Sequence, residues 1–281
     1  MKFVEDKLGV LMTKKKPKIG VALSGGGNRG SYICGAMTAI SEFHPEGFDL
    51  IAGTSIGGVV GASFAMGMPT RDQWEWWSSL SWGKVSNLRF PPGLAGILGD
   101  SFYSGVKMRN LFREIFPKWF SDLDTPLVLT ACNLMAGLGE ESNILISEGD
   151  LHQALLATVA IPGIFPPVKV DGKFLVDGGI GNYVPLEIFK DYDLIYAVLS
   201  GYGAPPEKPR SAIDIVARSF EMAIQDEIIR ELNMFEDKSK LRVLICDRPE
   251  IVNCSLTQWL KGHEWLQAGY EDGVKAFGGR K

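Results

Sequence analysis

The chain reads as an α/β fold around a largely parallel central sheet. Two observations carry that expectation. Short apolar runs alternate with amphipathic helical stretches, and no internal repeat, low-complexity tract or Gly/Ser linker divides the chain. Residues 18–281 therefore read as one domain behind an N-terminal arm over 1–17. With 281 residues, 46% hydrophobic and 22% charged, such a domain buries roughly three quarters of its unfolded surface and needs no disulfide or metal to hold it.

Lys18–Ser24 (KIGVALS) predicts a first strand and Ser31–Phe43 a helix. Phe48–Thr54 predicts a second strand and Ile56–Gly67 a buried helix. The stretch Leu50–Thr70 is uncharged and long enough to cross a bilayer, but five glycines and several Ser/Thr break it, so it reads as strand, tight turn and helix. Arg71–Leu80 predicts a helix. Ser81–Gly105 is rich in Gly, Pro and aromatics and predicts a long irregular segment holding a short helix, the kind that forms a lid or binding loop. Lys107–Phe116 sets Met108, Leu111, Phe112 and Ile115 on one helical face.

Pro126–Cys132 and Asn143–Ser147 predict strands, and Asp150–Ala160 a helix capped by Asp150 and stopped before Pro162. Val168–Val170 and Lys173–Val176 flank Asp171-Gly172, a two-residue hairpin signal. Leu194–Ser200 and Leu241–Cys246 predict strands, with a long helix over Ala212–Phe235 between them. Leu256–Phe277 predicts a closing helix with Leu256, Trp259, Leu260, Leu266, Tyr270, Val274 and Phe277 on its apolar stripe.

A net charge of −4 argues against a nucleic-acid partner, which calls for a strongly basic face. The four cysteines form no CxxC pair, so the usual zinc spacings are absent, and they are expected to sit reduced in the interior. The N-terminus has acids first and lysines after a short apolar stretch, the wrong order for a signal peptide. A cytoplasmic protein is expected. His44, His152 and His263 are the only histidines, which restricts any chemistry that needs a histidine base.

Three short motifs carry chemistry. Ser24-Gly25-Gly26-Gly27-Asn28-Arg29-Gly30 follows the first strand and opens a helix, offering unpaired N–H donors to a phosphate or an oxyanion. Gly53-Thr54-Ser55-Ile56-Gly57 fits the GxSxG elbow between strand and helix. There Gly53 and Gly57 allow close passage, Ser55 is presented as a nucleophile, and the Ile56 N–H is a candidate oxyanion donor. A small-residue turn with a helix-capping serine accounts for the same residues. Val176-Asp177-Gly178-Gly179 ends a strand with an acid and two glycines, a pattern that an ordinary Asp-Gly turn also produces.

Together, the GGGxRG turn, the GxSxG elbow and the late DGG resemble the patatin-like phospholipase family. Ala157–Val168 (ATVAIPGIFPPV) resembles the family's proline-bearing stretch ahead of the DGG, and the resemblance spans about residues 18–200. It implies a patatin-like three-layer sandwich and a Ser–Asp dyad without histidine, cofactor or metal. Carried over, Ser55 is the nucleophile and Asp177 its base. Gly25, Gly26 and Gly27 supply oxyanion donors, Arg29 and Gly30 hold that loop, and Gly178 and Gly179 complete the third motif. The implied substrate is a lipid acyl ester, a phospholipid or lysophospholipid. An aspartate of ordinary pKa, about 3.9, is a poor base, so Asp177 would need a partly desolvated place beside Ser55.

Three other readings compete. An α/β-hydrolase triad of Ser55, Asp177 and His263 has the correct chain order, although His263 falls on the apolar stripe, where a packed core histidine is the blander account. Gly25, Gly27 and Gly30 satisfy the dinucleotide fingerprint GxGxxG, but Asp49 lies at the start of the second strand rather than at its end, where a ribose ligand belongs. A non-catalytic lipid-surface module would use Trp74, Trp76, Trp77 and Trp82 for peripheral membrane contact. At least two of these four are expected to be buried, and with Leu88–Phe102 they are expected to line an acyl groove or lid.

Overall fold

The computed structural model describes residues 16–88, 99–201, 228–254 and 261–278, together with positions 215, 219, 222 and 224. In chain order the strands are β1 (Ile19–Leu23), β2 (Leu50–Thr54), β3 (Leu127–Asn133), β4 (Asn143–Ile146), β5 (Val168–Val170), β6 (Lys173–Asp177), β7 (Leu194–Leu199) and β8 (Leu241–Ile245). They form one eight-stranded sheet in the order β5-β6-β3-β2-β1-β7-β8, with β4 also paired to β3. β3, β2, β1, β7 and β8 run parallel, while β4, β5 and β6 are antiparallel additions.

The helices are α1 (Gly30–Phe43), α2 (Ile56–Ala65), α3 (Thr70–Ser79), α4 (Trp82–Val85), α5 (Val106–Ile115), α6 (Leu151–Thr158), α7 (Pro249–Val252) and α8 (Gly262–Phe277). Each predicted strand is present. Half of the predicted helix over Ala212–Phe235 lies outside the described residues, and the described part is helical at 215, 219, 222 and 224 and over 228–234. The 1–17 arm lies almost wholly outside them, as do 255–260 of the predicted closing helix.

Side chains of the central strands alternate between two apolar layers, as the period of a strand requires. Val21 and Leu23 of β1, Ile51 of β2 and Val198 of β7 join the core beneath α1, α2 and α3. Ala22, Ala52, Ile195, Ala197 and Leu199 face the other way, onto Val184, Leu186, Phe189 and Ile228. A sheet packed on both faces by helical layers is the three-layer α/β arrangement.

Two details correct the reading of the helices. The face that α8 buries is Trp265, Leu266, Ala268, Gly269 and Gly273, and Val274 of the predicted stripe is exposed. The reason is a close crossing with α1: a Cβ on Gly269 would strike the Tyr32 carbonyl, and one on Gly35 the Leu266 carbonyl. Glycines with no hydropathy signal set that interface. Of the four clustered tryptophans only Trp77 is fully buried, so the expectation of two fails. α3 turns one face inward, leaving Trp74 and Trp76 half-buried at its edges; the Trp74 indole N–H donates to the Thr38 hydroxyl at 3.2 Å, and Trp76 packs edge-on to Trp77 and Phe116. Trp82 is half-buried against Tyr103 and Phe165.

Residues 89–98 of the predicted irregular segment lie outside the described set. Both flanks of that stretch dock on the fold. The backbone N–H groups of Phe102 and Tyr103 donate to the carbonyls of Gly163 and Ile164, and Leu88 bridges to Tyr103.

Candidate active site

The register of β3 brings Ser55 and Asp177 together. β3 pairs with β2 so that Thr130 faces Thr54, and with β6 so that Ala131 faces Asp177. β4 pairs with β3 across Leu129–Cys132, so β2 and β6 must share the opposite flank. They approach end to end there, and the residue after Thr54 meets the last residue of β6. The Ser55 hydroxyl donates to Asp177 Oδ2 at 2.6 Å.

Ser55 sits at φ 55°, ψ −127°, a strained conformation for a residue with a side chain. Packing enforces it. A Cβ on Gly53 would lie 2.6 Å from the Gly57 carbonyl oxygen, and one on Gly57 would lie 2.7 Å from that of Leu23. The Ser55 N–H donates to the Thr158 hydroxyl at the end of α6, at 2.8 Å. Ser55 is 7% exposed.

Asp177 is fully buried, and loss of solvation pushes its pKa up to about 7. Hydrogen bonds from Ser55 and from the Gly179 N–H (2.8 Å, to Oδ1) hold it lower than burial alone would. Gly178 is required where β6 leaves the sheet, since a Cβ there would lie 2.7 Å from the Thr130 carbonyl oxygen.

The glycine turn lies against this pair, for a Cβ on Gly25 would fall 3.3 Å from that of Ser55. Two peptides of the turn are oriented by their carbonyls. The Gly25 carbonyl accepts from the hydroxyls of Ser24 (2.8 Å), Tyr183 (2.7 Å) and Ser200 (2.7 Å). A trans peptide points its carbonyl and the next N–H in opposite directions, so these hydroxyls fix the aim of the Gly26 N–H. The Gly26 carbonyl accepts from the Arg29 backbone N–H (3.2 Å) and Nε (3.1 Å), fixing the Gly27 N–H likewise. Buried Arg29 also donates from Nη1 to the Gly201 carbonyl at 2.7 Å. Among the described residues, the N–H groups of Gly25, Gly26, Gly27 and Ile56 meet no backbone acceptor. Gly30 leaves room for Ile56 and Trp77, whose atoms lie 2.5–2.9 Å from where its Cβ would stand.

The predicted motifs thus converge on one point, and the predicted alternatives do not. His263 is exposed in the first turn of α8, edge-on to the Trp74 ring at 5.9 Å, and is neither a core histidine nor a neighbour of the serine. His44 meets the Tyr196 hydroxyl, and His152 the Phe116 carbonyl. Asp49 is occupied at the start of β2, where its Oδ2 accepts the Ile19 N–H at 2.7 Å. Sequence reasoning missed Thr158, Tyr183 and Ser200. Thr158 lies in the Ala157–Val168 stretch, which gives it no role of its own, and no local pattern marks Tyr183 or Ser200. Among the described residues no group of three or more His, Cys, Asp or Glu side chains is arranged to hold a metal ion, and no helix is long and apolar enough to cross a membrane.

The family model of patatin-like phospholipases matches residues 21–190, and the chain belongs to the patatin-like phospholipase family. An uncharacterised NTE family protein of Mycobacterium bovis is 34% identical over 200 residues, 68% of this chain and 52% of that protein. A lysophospholipase NTE1 of Meyerozyma guilliermondii is 23% identical over 284 residues, 90% of this chain and 19% of that one. The chain therefore spans about half the length of the mycobacterial relative and a fifth of the fungal one. VipD from Legionella pneumophila is similar in structure with a TM-score of 0.47 at 13% identity, covering 93% of this chain and 67% of that one.

Proposed function

We propose that this protein is a serine acyl hydrolase that cleaves lipid acyl esters, phospholipid or lysophospholipid, through a Ser55–Asp177 dyad. The observation that carries the reading is the 2.6 Å hydrogen bond from Ser55 Oγ to a fully buried carboxylate whose pKa is raised to about 7. A base of that strength is matched to neutral pH, which an ordinary aspartate is not. The family supplies the chemical class, and the name of the fungal relative points to lysophospholipids within it.

In the first half-reaction Ser55 Oγ attacks the ester carbonyl and its proton passes to Asp177 Oδ2. The carbonyl oxygen takes up the negative charge and is received by N–H groups of Gly25–Gly27 and Ile56. Collapse of the tetrahedral intermediate breaks the bond to the alcohol, which leaves with the proton from Asp177. Acyl-Ser55 remains. Water then attacks the acyl carbonyl and gives one proton to Asp177; collapse releases the fatty acid, and the proton returns to Ser55 Oγ.

The test is labelling with a fluorophosphonate probe, followed by a panel of phospholipids and lysophospholipids. Wild-type protein should label and release fatty acid, and Ser55→Ala should do neither, losing about 10⁴-fold or more in turnover. Labelling that persists in Ser55→Ala overturns the assignment.

A further inference from the structure

The parallel strands bring more than the dyad to one edge of the sheet. Gly25 follows β1, Ser55 follows β2, and the loop at 134–142 follows β3, so all three emerge at the carboxyl ends of the strands. The β5–β6 hairpin pairs with the last residues of β3 and rises above the same edge, where the Leu134 N–H donates to the Phe174 carbonyl at 2.9 Å. Asp177 ends one strand of that hairpin, so the rim and the dyad share a wall.

That rim is apolar where a loop should be polar. Leu134, Met135, Leu138, Phe174 and Ile180 are all exposed, Met135 to 70% and Leu138 to 109% of reference residue accessibility. The loop is nonetheless a built turn. The Met135 N–H donates to Asn133 Oδ1 (3.2 Å), the Gly137 N–H to the Glu140 carboxylate (2.9 Å), and Gly139 supplies a left-handed φ of 83°. Its hydrogen bonds hold Leu138 out in the solvent rather than folding it back.

We propose that this rim is the surface by which the protein docks on a lipid bilayer, with Leu138 and Met135 inserted among the acyl chains. The proposal rests on the lipid-ester reading of the site. Three features favour a bilayer over a second protein. Ile180 joins the patch to the segment that follows Asp177, and Asn143 at the end of the loop donates to the Gly181 carbonyl at 2.9 Å, so docking there brings lipid beside the dyad. The patch presents one fully exposed leucine, Leu138, which enters a fluid layer more readily than it matches a rigid face. A symmetric pairing of two copies through this rim would cover both sites. The flanking charges set the lipid type. Lys169, with Nζ 5.8 Å from the Phe174 ring centroid, and Lys173 are offset by exposed Asp171, Glu140 and Glu141. Apolar insertion therefore drives binding, and an uncharged bilayer suffices.

The experiment is flotation of the full chain with phosphatidylcholine vesicles, with a Met135→Ser/Leu138→Ser double variant beside Ser55→Ala. The double variant should bind at least about tenfold more weakly at unchanged thermal stability, since insertion scales with buried apolar area. Its turnover of vesicle lipid relative to a soluble short-chain ester should fall by a similar factor. Ser55→Ala should float as wild type does. If it floats but wild-type protein fails to label with fluorophosphonate, docking stands and the hydrolase reading falls. Flotation of the double variant equal to wild type overturns the proposal. So does a wild-type dimer, stable without vesicles, that the double variant makes monomeric.

Discussion

Among the described residues two non-glycine positions hold a left-handed φ, Ser55 at 55° and Asp171 at 48°, and they hold it for opposite reasons. Asp171 sits at the exposed tip of the β5–β6 hairpin with Gly172 at φ 81°, between the paired residues Val170 and Lys173. Two successive positive φ values are what a two-residue hairpin turn requires to match strand twist, so the four residues of the turn account for the conformation. The flanking Gly53 and Gly57 make room for Ser55 but do not by themselves hold it. Its N–H is held by the Thr158 hydroxyl of α6 and its hydroxyl by the Asp177 carboxylate at the end of β6, while the Leu23 carbonyl of β1 crowds the adjoining Gly57. One departure belongs to a turn and the other to the whole fold. Substitutions at the first should therefore be mild, and those at the second costly.

The largest expected effect beyond loss of the serine itself is at Asp177. Asp177→Asn keeps the shape and removes the proposed base, and should lower turnover by about 10²–10⁴-fold. Wild-type kcat/KM should rise with pH through a single ionisation near 7 if, as proposed, the carboxylate form of Asp177 accepts the serine proton. That limb should vanish from the residual activity of Asp177→Asn. The same shift acts on stability with the opposite sense. Because the folded pKa of Asp177 is raised above 3.8, the folded state holds a proton that the unfolded state releases between about pH 4 and 7. Its contribution is full below that window and lost above it. Measured by thermal melts, the stability of Asp177→Asn relative to wild type should increase from pH 5 to pH 8. A pH-independent difference would mean that burial does not govern this carboxyl.

Next is Gly57→Ala. One methyl group has no place between α2 and the Leu23–Ser24 backbone, and the neighbours are main chain, which cannot turn aside. A destabilisation of roughly 1–3 kcal/mol is expected in urea unfolding, with a larger proportional loss of turnover because the elbow itself must shift. An unchanged midpoint would show that packing does not enforce the Ser55 conformation.

These two sites mark what the sequence could disclose. β1, β2 and β3, the hairpin and the Asp150 cap are written in contiguous residues, because strand alternation, Asp-Gly turns and side-chain caps are local physics. The glycine turn, the elbow and the DGG were legible for the same reason: each is a run of small residues around one chemical group. Their convergence was not, since it depends on Thr130 and Ala131 of β3 taking Thr54 and Asp177 as neighbours. Tyr183 and Ser200 were invisible, and Thr158 had no role within its quoted stretch, because a hydroxyl carries no pattern until the fold supplies its partner. Hydropathy found Leu266 and Phe277 of the α8 stripe but not the glycines that share its buried face. Hydropathy counts large apolar side chains, whereas the α1–α8 crossing is decided by Gly35 and Gly269.

A smaller effect tests the positioning of the glycine turn. Tyr183→Phe removes one of three hydroxyls on the Gly25 carbonyl and leaves Ser24 and Ser200 in place. The loss of one hydrogen bond that aims the Gly26 N–H should lower kcat by about 3–10-fold, with little change in KM. Equal changes in kcat and KM, or none, would separate that peptide from stabilisation of the transition state.

The smallest effect is at the hairpin tip. Asp171→Asn substitutes a residue that enters the left-handed region as readily as aspartate does, and the side chain is exposed. Urea unfolding should move by less than about 0.5 kcal/mol, and turnover should not change. Asp171→Val, with its branched Cβ, should cost about 1–2 kcal/mol while leaving the dyad intact. The hairpin is tied to β3 through β6, so a change at its tip has a path to Asp177. If Asp171→Val lowered turnover as steeply as Gly57→Ala does, that path would be strained by the turn. The left-handed residue at the tip would then belong to the machinery of the site rather than to the four residues around it.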